Sequence, residues 1–188
     1  MIPGQATDQH TSLIVGFDAV GIFLRARWKE GEKQSDDLAN LLGSMNRDVG
    51  RNSQPLDIAQ WSDWLDAVLL VRPDLDEVRQ ARLQMQDDHQ KLRRILETAP
   101  SEQPEKLNQY RTETASQTWH RVGDCSMSIL DGYEAMRAFV AAYWHRGRKQ
   151  SREIGIILEN LLHEEPAAAG LAQWDNWLAV RTAQREAR

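Results

Sequence analysis

The sequence predicts an all-α protein made of two similar three-helix units, joined by a long helix and a polar linker. Three observations predict it: a stretch of chain recurs, apolar residues return at helical spacing in both occurrences, and neither shows the β-branched alternation of a strand. Phe17 to Trp28, then Gly31-Glu-Lys-Gln-Ser35, comes back 116 residues later as Tyr133 to Trp144, then Gly147-Arg-Lys-Gln-Ser151. Over positions 17 to 45, nine of 29 residues are identical between the two occurrences, where average residue usage would give about two. Ala59-Gln-Trp-Ser-Asp-Trp-Leu65 returns as Ala172-Gln-Trp-Asp-Asn-Trp-Leu178 at an offset of 113, so the loop before it is three residues shorter the second time. This reads as an internal duplication. The boundaries are 1–72 for the first unit, 73–126 for the long helix and linker, and 127–188 for the second unit.

The first helix of each unit carries Phe17, Val20, Leu24 and Trp28 with Phe23 alongside, matched by Tyr133, Met136, Val140 and Trp144 with Phe139. Gly31 and Gly147 stop it, since glycine tolerates the left-handed geometry in which helices commonly end. Ser35 and Ser151 start the second helix: a serine hydroxyl accepts from a free amide of the first turn, and Asp36, Asp37 and Glu153 sit where the helix dipole favours acids. Behind the cap, Leu38, Leu41, Leu42 and Met45 repeat as Ile154, Ile157, Leu158 and Leu161, an i, i+3, i+4, i+7 stripe. Loops marked by Gly50, Pro55, Pro166 and Gly170 follow. The third helix has Ile58, Trp61, Trp64, Leu65 and Val68, and its counterpart has Leu171, Trp174, Trp177 and Leu178. The i, i+3 spacing of each tryptophan pair keeps both from the centre of one face; the core is the favoured reading for these rings, and a place for one of each pair at the rim, where it can anchor an interface, is the alternative.

Between the units, Leu75, Val78, Met85, Leu92 and Leu96 follow a roughly heptad spacing, with Arg82 and His89 intruding, and predict a long helix over 74–98. Ala99 to Glu105 is a polar, Pro-containing break, and Lys106 to His120 is polar with only Leu107, Tyr110 and Trp119 to bury.

Composition narrows the function. No apolar run approaches the ~20 residues of a membrane span, and Met1 to Ser12 lacks the basic start and apolar stretch of a signal peptide, so a cytoplasmic protein without a membrane partner is expected. Lys plus Arg against Asp plus Glu stands at seven to ten in residues 1–72, eight to ten in 73–126 and eight to eight in 127–188. An acidic first unit argues against nucleic acid, which is bound through basic patches, and favours a basic protein partner. Cys125 is the only cysteine, which rules out an internal disulfide and a Cys-rich metal site.

Catalytic and metal signatures are weak. The five histidines, at 10, 89, 120, 145 and 163, lie nowhere three to five residues apart, and His163 beside Glu164 and Glu165 is the nearest approach to a ligand cluster. Cys125, next to Asp124 and near His120, reads either as a nucleophile or as a half-buried thiol. A duplicated active site should keep its acid or base in both copies. What recurs is Lys33 with Lys149, Gln34 with Gln150, Ser35 with Ser151 and Gln60 with Gln173, all with structural readings, while Asp63 becomes Asn176, a change a general acid or base would not survive. No catalytic residue, cofactor or metal is expected.

One unit read alone, Ala-x-x-x-Phe-(Leu or Val)-x-x-x-(aromatic), then Ser-x-x-(Leu or Ile)-x-x-(Leu or Ile)-Leu and Trp-x-x-Trp-Leu, resembles the small immunity proteins of bacterial contact-dependent growth inhibition systems. The resemblance rests on Ala19, Phe23, Trp28, Ser35, Leu38, Leu41, Leu42, Trp61, Trp64 and Leu65. It rests equally on Ala135, Phe139, Trp144, Ser151, Ile154, Ile157, Leu158, Trp174, Trp177 and Leu178. It implies a protein without catalysis of its own that binds and blocks a cognate toxin domain, often a nuclease. The duplication and the central insertion depart from the single-unit pattern. On the acidic first unit, the candidate partner-binding residues are Asp36, Asp37, Asp63 and Asp66, with Trp61 or Trp64 as anchor; solvated helix faces and caps are the alternative reading of the carboxylates. A helical adaptor bridging two copies of a partner is the alternative function.

Overall fold

A computed structural model describes residues 10–31, 35–47, 57–98, 113, 117–147, 150–163, 176, 177, 179, 180 and 183. In chain order these form β1 (His10–Ser12), α1 (Leu13–Glu30), α2 (Asp36–Met45), α3 (Ile58–Val71) and α4 (Asp76–Thr98). A helical segment over 117–122 follows, then β2 (Ser126–Ser128), α5 (Ile129–Arg146) and α6 (Arg152–His163). Residues 176, 177, 179, 180 and 183 are helical. The protein is all-α, with one short two-stranded sheet among the described residues. The expected loops at Gly50, Pro55, Pro166 and Gly170, the Ala99–Glu105 break and Trp174 lie outside the described residues.

The helices begin where side chains can satisfy their free amides. Ser12 caps α1 by accepting from Val15 N at 3.3 Å. Ser35 does the same for α2, from Leu38 N at 3.2 Å. Ser128 and Asp131 close a reciprocal capping box at the start of α5, at 3.0 and 3.3 Å. α1 and α5 thus start four residues earlier than the apolar stripes at Phe17 and Tyr133 indicate. They also end differently from expectation. Gly31 and Gly147 are the C-caps, yet their φ values of −80° and −70° are ordinary right-handed ones, and each N–H closes the last turn on the carbonyl of Arg27 or Tyr143.

The strands were not expected, because three residues are too few to show an alternation. They pair antiparallel, His10 with Ser128, Thr11 with Met127 and Ser12 with Ser126. Thr11 and Met127 are themselves 116 positions apart, so the central pair joins corresponding positions of the two similar stretches, and the ladder is self-complementary about it. Leu13 N and Ile14 N continue it onto the carbonyls of Cys125 and Gly123, each at 3.0 Å.

Packing crosses the chain's midpoint. α3 meets α5 more extensively than it meets any other helix. The two run antiparallel and are tied at both ends: Arg72, the C-cap of α3, donates to Asp131 in the capping box of α5 at 3.1 Å, and Arg146 at the end of α5 pairs with Asp63 near the start of α3. Between the ties Phe17 of α1 is a hub, with its ring centroid 5.7 Å from Trp61, 6.3 Å from Trp64, 6.4 Å from Trp119 and 6.4 Å from Phe139. The buried cluster is continuous and draws on all three predicted segments, with Val78 and Met85 of α4 joining residues from both similar stretches.

This packing bears out the core reading of Trp61 and Trp64 and overturns the rim alternative. Trp61 is 1% exposed and Trp64 0%, so neither stands at a rim. Trp64 donates to Leu13 O at 3.1 Å, and Trp61 lies against Trp119 with centroids 4.5 Å apart. A helix enclosed by α5, α4 and α2 that also sends two indoles to α1 and Trp119 has more than one apolar face.

Candidate functional site

Asp36 and Asp37 occupy the first turn of α2, held outward because Leu38, Leu41, Leu42 and Met45 turn the opposite face into the core. Both are exposed, and among the described residues neither takes part in an ion pair. Tyr143 of α5 is close enough to feel Asp37. Burial raises its phenol above the ordinary value, the Asp37 charge raises it further, and Arg146 opposes both. The Arg146 guanidinium stands 5.9 Å from the Tyr143 ring centroid and pairs with Asp63. Tyr143, Arg146 and Asp63 therefore form a row running from α5 to α3, and the Asp37 charge on α2 acts on its Tyr143 end.

Asp66 lies one turn further along α3 and is held by a two-pronged contact from Arg82 of α4, Nε at 2.6 Å and a terminal nitrogen at 2.8 Å. The structure thus separates the four candidate carboxylates by availability. Asp63 is largely covered and satisfied on one oxygen by Arg146, with its other oxygen buried and without a hydrogen bond among the described residues. Asp66 is committed to Arg82. Asp36 and Asp37 face outward, and the two candidate indoles are interior.

A cleft of about 590 Å³ lies between the N-terminal half of α3 and the middle of α4. Its apolar surface comes from Ile58, Ala59, Met85 and Leu92, and its polar surface includes Asp63, Arg82 and Asp88. Asp88 accepts from Gln84 at 3.0 Å, and the Lys91 ammonium is 3.5 Å away. Cleft and row meet at Asp63.

Elsewhere the titratable groups are separated. His163 is exposed, 3.8 Å from Glu159, and Glu164 and Glu165 lie outside the described residues. Cys125 is half-buried and 3.6 Å from Glu77 Oε2. Burial first, then the Glu77 hydrogen bond, pushes its thiol above the ordinary value, the opposite of what activates a nucleophile. Among the described residues no group of three metal-binding side chains occurs, and no helix is long and apolar enough to cross a membrane.

Compared with protein-family models, with curated proteins and with solved structures, the chain matches none of them.

Tyr143, Arg146 and the cleft escape a reading of the sequence, since each depends on helices distant along the chain meeting in space. Two signals pointed toward them. The change from Asp63 to Asn176 marks a carboxylate present in one stretch only, and Arg82 breaks the apolar spacing of α4 where it reaches Asp66.

Proposed function

We propose that this is an immunity protein that binds and neutralises a cognate toxin, a nuclease being the favoured class, of a bacterial contact-dependent inhibition or related polymorphic toxin system. The reading is of a cytoplasmic binder with no catalytic step, and it takes the two similar stretches as copies of one ancestral helical unit. Support for the copies comes from the sequence identities and from the sheet register centred on Thr11 and Met127. The observation that carries the binding reading is the outward Asp36–Asp37 pair, exposed and unneutralised within the described residues. Nucleases carry basic surfaces for their phosphate substrates. A complementary acidic face speeds encounter with such a surface and selects among partners.

Co-expression with the toxin encoded immediately upstream tests this: cells should survive and a complex should copurify. Cell death, or the absence of a complex, would end the proposal. Reversing the charge in an Asp36→Lys, Asp37→Lys double variant should slow association about tenfold at low salt, with a smaller effect at high salt. Titration calorimetry should show one equivalent of toxin bound; two equivalents of one partner would instead favour the bridging adaptor.

A further inference from the structure

We infer that residues 123–125 are a hinge, and that opening it lets β2, α5 and α6 of one copy pack into a second copy of this chain and accept the same segment in return, forming an exchanged dimer. The inference concerns the fold and stands apart from the immunity reading.

The hinge follows from what lies on either side of it. The helical segment over 117–122 is built into the core beside the first stretch: the Trp119 ring lies 4.5 Å from Trp61 and 6.4 Å from Phe17, the Arg47 guanidinium stands 5.0 Å from its centroid, and Val122 is fully buried. From Ser126 onward the chain is β2, α5 and α6. Gly123, Asp124 and Cys125 carry it from one side to the other. This crossing is closed by Gly123 N donating to Trp119 O at 2.9 Å and Cys125 N donating to Val122 O at 3.0 Å.

The contacts between the two sides are indifferent to which chain supplies them. The β1–β2 ladder, the ties of Arg72 to Asp131 and of Arg146 to Asp63, and the packing of Phe139 on Phe17 and Trp64 would be made equally by β2 and α5 of a second copy. An exchanged dimer therefore makes each of them twice and differs from two monomers mainly at the turn. A second stretch of about 60 residues is marginal as a body of its own, so an opened chain must close again or pair.

Gly123 sets the balance. A Cβ there would stand 2.5 Å from the Trp119 carbonyl oxygen and 2.2 Å from Ile14 Cδ1, so the closed turn has no room for a side chain, whereas a straightened crossing moves the residue away from that carbonyl. Short connections under strain invite exchange; glycine relieves the strain and a larger residue restores it. The exchanged dimer carries two α3–α5 joints and two outward Asp36–Asp37 pairs, which makes a single binder bivalent.

The test refolds the natural chain and Gly123→Val from urea at low and high protein concentration and reads mass by sedimentation velocity. The natural chain should refold as monomer when dilute and leave, when concentrated, a dimer that persists on dilution, because separation requires the core to open. Gly123→Val should raise the ratio of dimer to monomer at least tenfold at equal concentration. Connectivity is read from a Ser12→Cys, Cys125→Ser, Ser126→Cys variant. Ser12 faces Ser126 in the ladder, and residues opposite one another in an antiparallel pair stand about 4.5–5.5 Å apart, within reach of a disulfide. Oxidised after refolding, its monomer should carry the bond within one chain and its dimer between two, so that the dimer stays joined on a denaturing gel until reduced. Monomers alone from the concentrated natural chain, a dimer that falls apart on dilution, or a dimer whose disulfide stays within each chain overturns the proposal. So does a folded Gly123→Val with the natural ratio of dimer to monomer. If Gly123→Val does not fold, the natural chain and the cysteine variant decide by themselves.

Discussion

A methyl group placed on Gly123 would stand 2.5 Å from the Trp119 carbonyl oxygen and 2.2 Å from Ile14 Cδ1, whereas one on Gly43 meets nothing within 4 Å. The Ile14 side chain can move; the Trp119 carbonyl belongs to a turn in which Gly123 N donates to it at 2.9 Å while Gly123 O accepts from Ile14 N. Gly123→Ala should therefore lower stability by about 1–3 kcal/mol, the usual range for overpacking. Gly43→Ala, in an exposed position of α2, should raise it by about 0.5–1 kcal/mol through the entropy of the unfolded chain. Urea unfolding midpoints decide both, and a neutral Gly123→Ala would refute the close approach. At this scale legibility divides by range. Ser35 as a cap and Asp36 and Asp37 in the first turn were readable because a cap and its partner amide are three residues apart. The core placement of Trp61 and Trp64 was readable as the favoured alternative, but what encloses each ring was not, because a helical wheel counts faces and cannot count neighbours.

At the scale of elements, the long helix over 74–98, the α2 and α6 stripes and the α3 stripe were readable from period alone, within one to three residues of the observed bounds. The starts of α1 and α5 were missed because Ser12 and Ser128 precede apolar positions that the stripe does not include. The joint between α3 and α5 was invisible, since Arg72 and Asp131 lie far apart in the chain. Arg72 also holds Asp74 at 2.7 and 2.8 Å. Its hydrogen bond is the largest influence on that carboxyl, which is lowered from 3.8 to about 2. A depressed carboxylate contributes above its unfolded value near 3.8 and loses that contribution as pH falls through about 2. Asp74 is solvent-exposed, so the stability involved is small and the direct observable is the titration itself. Carboxyl carbon NMR should place the Asp74 midpoint near 2 in the natural protein, and Arg72→Gln should return it toward the ordinary range. An unmoved midpoint would show that the α3 cap does not hold this carboxylate.

For the whole molecule, a chain with two similar stretches has two ways to stand. Its units can be separate bodies whose interface adds a modest term, as in repeat arrays where stability sums over units and their contacts, or they can share one core and unfold together. The packing decides for the second. Phe17 from one stretch and Phe139 from the other are 6.4 Å apart, Trp64 is 6.2 Å from Phe139, and α3 is tied at both ends to α5. Each similar stretch is about 60 residues, a length at which a core on its own is marginal, so exchanging partners across the midpoint gains burial that neither would reach alone. Phe139→Ala should then cost about 3–5 kcal/mol, the range for a large aromatic removed from a packed interior. It should do so for the entire chain: far-UV circular dichroism, which reports all helices, and tryptophan fluorescence, which includes Trp61 and Trp64 of the other stretch, should keep a common and lowered midpoint in urea. Two separated transitions, with the first stretch retaining its natural midpoint, would mean that the shared core does not couple the halves. A coincident shift would mean that the Tyr143, Arg146 and Asp63 row and the cleft, which both draw on α3, are positioned by the second half of the chain as much as by the first.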